Sequence, residues 1–213
     1  MTALGAGGLT FGYRSGQPVF QGLDLDLPPG AVTTLTGPSG SGKSTLLYVL
    51  ALLLRPTSGQ VLWGGVRSDA LPDGVRARLR AAHSGFVFQD AMLDPARTVL
   101  DNVLEAALYA GMGLADARDR ARALLDDLGV GHRIDHRPGE VSGGQAQRVA
   151  LCRALVTDPT VVFGDEPTGN LDDESAELVW STLAARAHAG ATVVVATHDT
   201  RLAARADQQV RLT

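Results

Sequence analysis

The sequence predicts an α/β fold built on a doubly wound, mostly parallel sheet, and three stretches carry that reading. GPSGSGKST, residues 37–45, sets glycines and one lysine between an apolar strand-like run and a longer apolar run that reads as a helix. TVVFGDE, residues 160–166, and TVVVATH, residues 192–198, are unbroken valine-rich runs, the pattern of strands covered on both faces. A helix over 172–189 lies between them, and such alternation gathers functional loops at the carboxyl ends of the strands.

Taken in order, LDLDL (23–27) alternates apolar and acidic residues as a strand with one wet face does. AVTTLTG (31–37) runs into the glycine loop, and LLYVLALLL (46–54) is too long for a strand and reads as a core helix. VLWG from Val61 and GFVFQ from Gly85 read as short strands. Helical texture then takes over at 98–111, 115–128 and 143–156, the first opened by Thr98 and Asp101 at capping-box spacing. Residues 90–157 are therefore expected to form a helical insertion, with 1–89 and 158–213 as the core of one domain. The chain stops at Thr213 on an expected strand, with no repeat, low-complexity tract or long linker.

Composition narrows the function. The 213 residues carry a formal net charge of -4 and are 45% hydrophobic and 20% charged, ordinary for a globular protein and unsuited to general nucleic-acid affinity. Cys152 is the only cysteine, which rules out an intrachain disulfide and fits a reducing, cytoplasmic compartment. The apolar run at 46–54 falls well short of the roughly 20 residues a membrane span needs, and the first eight residues show no export signal. Lys43 is the only lysine in an arginine-rich chain. It stands where a thin-stemmed ammonium fits among phosphate oxygens and a planar guanidinium does not.

Gly37, Gly42, Lys43 and Ser44 complete the G-x-x-x-x-G-K-[ST] pattern. In it, backbone N–H groups curl around a phosphate, the helix dipole favours negative charge, the lysine bridges the terminal phosphates and the serine hydroxyl ligates Mg²⁺. Ser39, Gly40 and Thr45 belong to the same cradle. Asp165 and Glu166 end a buried strand, where carboxylates are costly without a cationic or hydrogen-bonding partner. Asp165 suits Mg²⁺, and Glu166 suits polarising a water that attacks the γ-phosphate. His198 ends the next apolar strand, either as a satisfied core histidine or as a donor to a γ-phosphate oxygen. Gln89 closes GFVFQ, orienting water or Mg²⁺ or simply marking a polar strand end. Tyr13, in FGYRSG, stacks on adenine or packs at a turn.

VSGGQ, residues 141–145, raises a separate question. Ser142 and Gln145 have the spacing of a capping box. Gly143 and Gly144 in a first helical turn sacrifice up to about 1 kcal/mol each relative to alanine, as expected where a ligand must approach bare backbone. With no lysine to serve it, this second anion seat fits as cover for a nucleotide bound by another copy.

Together these stretches resemble the nucleotide-binding subunit of ABC (ATP-binding cassette) transporters over nearly the whole chain. GPSGSGKST resembles the Walker A loop, VSGGQ the signature, VVFGDE the Walker B strand, GNLD (169–172) the D-loop and THD (197–199) the switch histidine. Tyr13 and Gln89 fall where the family has its adenine-stacking aromatic and its Q-loop. The resemblance implies a P-loop NTPase with a RecA-like core, an N-terminal antiparallel β subdomain and an inserted helical subdomain. It also implies ATP and Mg²⁺ as ligands, and head-to-tail dimers in which Ser142, Gly143, Gly144, Gln145 and Asp172 help close each site. GFVFQ, TVLDNV, HRP and DEPTGNLD are most similar to lipoprotein-releasing, macrolide-export and cell-division ATPases. That similarity implies a separate membrane permease with a large extracytoplasmic domain, its coupling helix docked near Gln89. It places the chain on the inner face of the plasma membrane.

Val141 for the commoner leucine alters packing only. Gly164 stands where a larger residue is usual and is expected to loosen the strand by roughly 0.5 to 1 kcal/mol. No regulatory C-terminal domain is expected. Two other functions fit parts of the pattern: a soluble ABC ATPase of DNA repair or translation, for which 213 residues leave no space for the usual insertions, and a P-loop kinase or low-turnover scaffold.

Overall fold

Continuous valine runs demand cover on both faces, and the architecture supplies it. The computed structural model describes residues 4–13 and 17–213; the first three residues, and Arg14 to Gly16 of FGYRSG, where the sequence suggested a turn, lie outside the described residues. Five parallel strands form the central sheet in the order β6 (Ser84–Val87), β7 (Val161–Asp165), β8 (Thr192–Ala196), β3 (Val32–Thr36), β9 (Gln208–Arg211). Register pairs Asp165 with Ala196 and Leu35 with Ala196, so the strand ends bearing chemistry are level. Alternate residues of these strands enter two separate cores. Val161, Phe163 and Val194 pack with helix α1 (Lys43–Leu50) and the second sheet. Val162, Val193 and Val195 pack with α6 (Asp173–His188) and the helical region.

The second sheet is antiparallel, ordered β2 (Phe20–Leu27), β1 (Leu4–Phe11), β4 (Ser58–Trp63), β5 (Val66–Arg67), as the family resemblance implied. In β2, Leu23 and Leu25 are half-buried between exposed Asp24 and Asp26, so the alternation read from LDLDL is real. Helices α3 (Val99–Tyr109), α4 (Leu114–Asp127) and α5 (Gly143–Leu155) pack on one another in one core. The Thr98 hydroxyl caps α3 by accepting the Asp101 N–H at 3.1 Å. Asp172 caps α6 by accepting from Ser175 N at 2.8 Å. Cys152 is fully buried on α5, and burial pushes its thiol up to about 12.

One expectation needs correction. The helix read through Leu54 ends at Leu50, because Leu52 turns into the left-handed region at φ 59. Its freed carbonyl accepts from Arg76 and Arg80 at 3.2 and 2.9 Å. Those arginines lie on α2 (Asp73–His83), a helix without the apolar periodicity that marks one: its only buried residue is Arg76, neutralised by Asp73 at 2.6 Å. Among the described residues no helix is long and apolar enough to cross a membrane.

Candidate functional site

Where β3 ends, the chain enters the glycine loop and restarts as α1 at Gly42, whose φ of 91 is left-handed. A Cβ there would lie 2.5 Å from Val19 Cγ1, so glycine is required on two counts. No side chain caps α1. Its first N–H groups are therefore available to an anion. Lys43 Nζ reaches back across the loop to donate to the carbonyls of Gly37 and Pro38, both at 2.9 Å.

Ser44 and Tyr48, one helical turn apart, share a face of α1, and both donate to Asp165. Ser44 Oγ meets Oδ1 at 2.7 Å and Tyr48 Oη meets Oδ2 at 2.8 Å. This satisfies a carboxylate that is only 6% exposed. Partial burial, then the hydrogen bond and charge of Asp165, push the Tyr48 hydroxyl up to about 12. Tyr48 was missed in the sequence; its signal is the i+4 spacing from the phosphate-loop serine.

Glu166 leaves the strand with φ 47, a left-handed conformation that is strained for a side-chain-bearing residue. Its N–H bonds to Ala196 O at 2.9 Å. His198 grips the carboxylate twice, through Nδ1 to Oε1 at 2.8 Å and through its backbone N–H to Oε2 at 3.3 Å. The imidazole is 71% exposed, so the core-histidine alternative is excluded. Gly164 has a steric reason absent from the sequence: a Cβ there would stand 3.0 Å from Pro167 Cγ, so the glycine lets Pro167 fold back beneath the turn.

One cleft of about 460 Å³ is lined by Tyr13, Val19, Ser39, Gly40, Gly42, Lys43, Ser44, Thr45, Gln89, Glu166 and His198. Exposed Tyr13 stands edge-on to Phe11 with ring centroids 5.1 Å apart, its hydroxyl 3.4 Å from Thr45 Oγ1. Gln89 lies beyond the end of β6 and is exposed. The adjacent hydroxyl and carboxylate of Ser44 and Asp165, with the Gln89 amide near, are an all-oxygen donor set suited to Mg²⁺.

Ser142, Gly143, Gly144, Gln145 and Asp172 do not line this cleft. The capping box is complete: Ser142 Oγ accepts from Gln145 N at 3.2 Å and Gln145 Oε1 accepts from Ser142 N at 3.0 Å. The reason given for paired glycines divides. Gly143 faces open space, but a Cβ on Gly144 would sit 3.1 Å from Ser175 Oγ, so close packing against α6 favours that glycine whether or not a ligand approaches. Ser175 also bonds to Asp172 and Arg148, at 3.3 and 3.2 Å, joining α5 to the start of α6.

A phosphate cradle at the carboxyl edge of a parallel sheet, with a carboxylate pair from β7, one strand beyond its neighbour β8, defines a nucleoside-triphosphate-hydrolysing protein of the phosphate-loop class. Comparison with known sequences narrows the class: the ABC transporter family matches residues 20–169, and the chain belongs to it. It is 47% identical to the lipoprotein-releasing system ATP-binding protein LolD of Xanthomonas campestris pv. campestris (strain 8004), over 92% of this chain and 82% of that protein. It is 44% identical to the macrolide export ATP-binding/permease protein MacB of Marinobacter nauticus, over 92% of this chain but 30% of that protein. The dimeric ABC transporter cassette MJ0796 superposes with a TM-score of 0.91 at 32% identity, covering 98% of this chain and 94% of that one. A second structure of MJ0796, a post-hydrolysis state bound to ADP and Pi, matches equally well, with a TM-score of 0.91. The chain is thus an ATP-binding subunit of the ABC type, and an ATPase.

Proposed function

We propose that two copies of the chain close around two Mg-ATP and reopen after hydrolysis, driving a separate membrane permease. One observation carries this reading. The cleft collects residues of the phosphate cradle and the Glu166–His198 pair, while the glycine-opened start of α5 is not part of its lining. The half-site in each chain is completed by Ser142, Gly143 and Gly144 of the second copy, with Gln145 holding that turn and Asp172 ordering the helix beside it. Residues 90–157 act as the signature-bearing subdomain of a single nucleotide-binding domain, and 1–89 with 158–213 as its catalytic core.

In this reading Tyr13 stacks on adenine, and the loop from Gly37 through Ser39 and Gly40 to Thr45 wraps the phosphates. Lys43 exchanges the carbonyls of Gly37 and Pro38 for β- and γ-phosphate oxygens. Ser44, Asp165 and Gln89 would hold Mg²⁺, which when bound would supply positive charge to offset that of the phosphates. Glu166 accepts a proton from the attacking water as that water aligns with the γ-phosphorus. His198 fixes the carboxylate through Nδ1–H, and its doubly protonated form would also offer Nε2–H to a γ-phosphate oxygen.

A second concavity, about 510 Å³ and largely apolar, lies between α2, β6, α3 and α5, with Leu53, Phe86, Phe88 and Tyr109 on its walls and Arg78 and Arg80 at its rim. It receives the permease's coupling helix, which holds the subunit to the inner face of the plasma membrane. The names of the relatives, which concern lipoprotein release and macrolide export, support transport over DNA repair or translation; the large extracytoplasmic domain of the permease is part of the proposal.

The test is Glu166→Gln. With Mg²⁺ and ATP the variant is expected to stop hydrolysing and to sediment as a dimer that reverts to monomer when ATP is removed. A variant that stays monomeric at every concentration, with and without permease, sinks the proposal.

A further inference from the structure

The catalytic groups of the proposed site come from segments far apart in sequence, and one buried side chain outside the cleft touches two of them. Gln147, on α5, is 4% exposed. Its amide nitrogen donates to Phe88 O at 2.8 Å and to Pro167 O at 3.1 Å. Both partners are carbonyls, which uses both amide hydrogens and fixes the orientation of the group. Phe88 immediately precedes Gln89, and Pro167 immediately follows Glu166. A Cβ built on Gly169 would lie 3.6 Å from Glu166 Cβ and 3.9 Å from Gln89 Nε2, so the two segments meet beside the same turn.

The far end of the Gln89 loop is held from the same helix. Arg153 donates to Ala91 O at 2.8 Å and to Met92 O at 2.7 Å, and Met92 itself is left-handed at φ 47. Hence α5, whose first turn carries Ser142 and the two glycines, grips the loop on both sides of Gln89 and the turn just after Glu166. An apolar side chain of the same size could fill the space of Gln147. It could not offer two donors, and a buried carbonyl left without one shifts to find another.

We propose that Gln147 is a positioning residue for hydrolysis: its amide sets Gln89 and Glu166 relative to each other and ties both to the helix that would close on the second copy's nucleotide. This rests on the roles proposed above for Gln89 and Glu166. Neither hydrogen-bond partner of Gln147 lines the cleft, so its loss is expected to act on the chemical step and leave nucleotide binding alone.

The experiment compares full-length wild type with Gln147→Met, which keeps volume, and Gln147→Glu, which keeps shape but presents a carboxylate to two carbonyls. Steady-state ATP turnover, affinity for a fluorescent ATP analogue and thermal melting are measured on each. Turnover is expected to fall about tenfold to a hundredfold, the scale of misplacing a reacting group by about 1 Å, with KM and nucleotide affinity held within about twofold. Gln147→Glu is expected to regain turnover relative to wild type as pH falls from about 8 to about 5.5, because a buried carboxyl protonates in that range and recovers one donor. A purely structural role moves the melting temperature and neither the kcat-against-KM split nor the pH profile. Folded variants with wild-type kcat, or with KM raised and kcat unchanged, overturn the inference. If neither variant folds, Arg153→Lys, which loosens the far end of the same loop, decides by the same criterion. Glu166→Gln is the control: turnover lost there but normal in the Gln147 variants defeats the inference alone. Turnover surviving in Glu166→Gln defeats the roles beneath it.

Discussion

Tyr48→Phe removes one oxygen and tests how the buried Asp165 is supported. The hydroxyl donates to Oδ2 at 2.8 Å, and Ser44 alone would remain as a side-chain donor to a carboxylate that is 6% exposed. A hydrogen bond to a charged group contributes about 1.5–3 kcal/mol. Tyr48 is only partly buried, and solvent screening reduces that to about 1–2 kcal/mol. For a chain of this length each kcal/mol moves the melting temperature by about 2–4 °C, so the variant should melt about 2–8 °C below wild type near pH 8. The sign of the pH dependence is fixed. Partial burial and then Asp165 raise the folded-state pKa from 10.0 to about 12, so the hydroxyl's contribution is complete below pH 10 and is lost as pH rises through about 12. Melting curves by circular dichroism at about pH 8, 9, 10 and 11 should show the gap narrowing only at the alkaline end. Equal melting temperatures at pH 8, or a gap that ignores pH, would refute the reasoning.

Two further outcomes follow. Tyr13→Ala should raise KM for ATP about threefold to tenfold with kcat unchanged, the worth of one stacked aromatic at about 0.5–1.5 kcal/mol, and Tyr13→Trp should restore it. Asp158→Asn keeps a residue tolerant of the left-handed φ of 54 but removes ion pairs to Arg186 at 2.6 Å and Arg120 at 3.1 Å. Burial raises the Asp158 pKa, yet the two guanidiniums outweigh it and leave a net depression. The stabilisation is therefore present above about pH 4 and fades as the carboxylate protonates below it. Calorimetry should find the variant about 0.5–1 kcal/mol less stable near pH 7, with the deficit shrinking in acid.

The chemistry was legible in the sequence wherever local backbone demands dictate residue type. A phosphate loop must have its glycines and lysine in order, and strands covered on both faces must be apolar throughout, so residues 37–45, 160–166 and 192–198 identified themselves. What stayed hidden depends on contacts between distant segments. Strand β1 contains Gly5, Gly7 and Gly8, poor strand formers on their own, and exists because β2 and β4 pair with it on either side. Helix α2 offered no apolar stripe because an ion-paired arginine takes the buried position. The apolar run at 46–54 gave no sign that Leu52 would turn, since the two arginines that cap its freed carbonyl come from a helix beyond the next two strands. Gly144 and Gly164 looked like concessions to a ligand or to flexibility. Their partners are Ser175 and Pro167, one on another helix and the other three residues along.

The solitary amine of Lys43 has a practical consequence. Amine-directed reagents such as activated esters have one side-chain target in the whole chain, and it lines the cleft proposed to take ATP, held by two carbonyl oxygens. Immobilisation or dye coupling through lysine therefore attacks the very group proposed to meet the triphosphate. Tags and surface attachments belong on engineered cysteines, since the natural thiol of Cys152 is sealed inside the helical core.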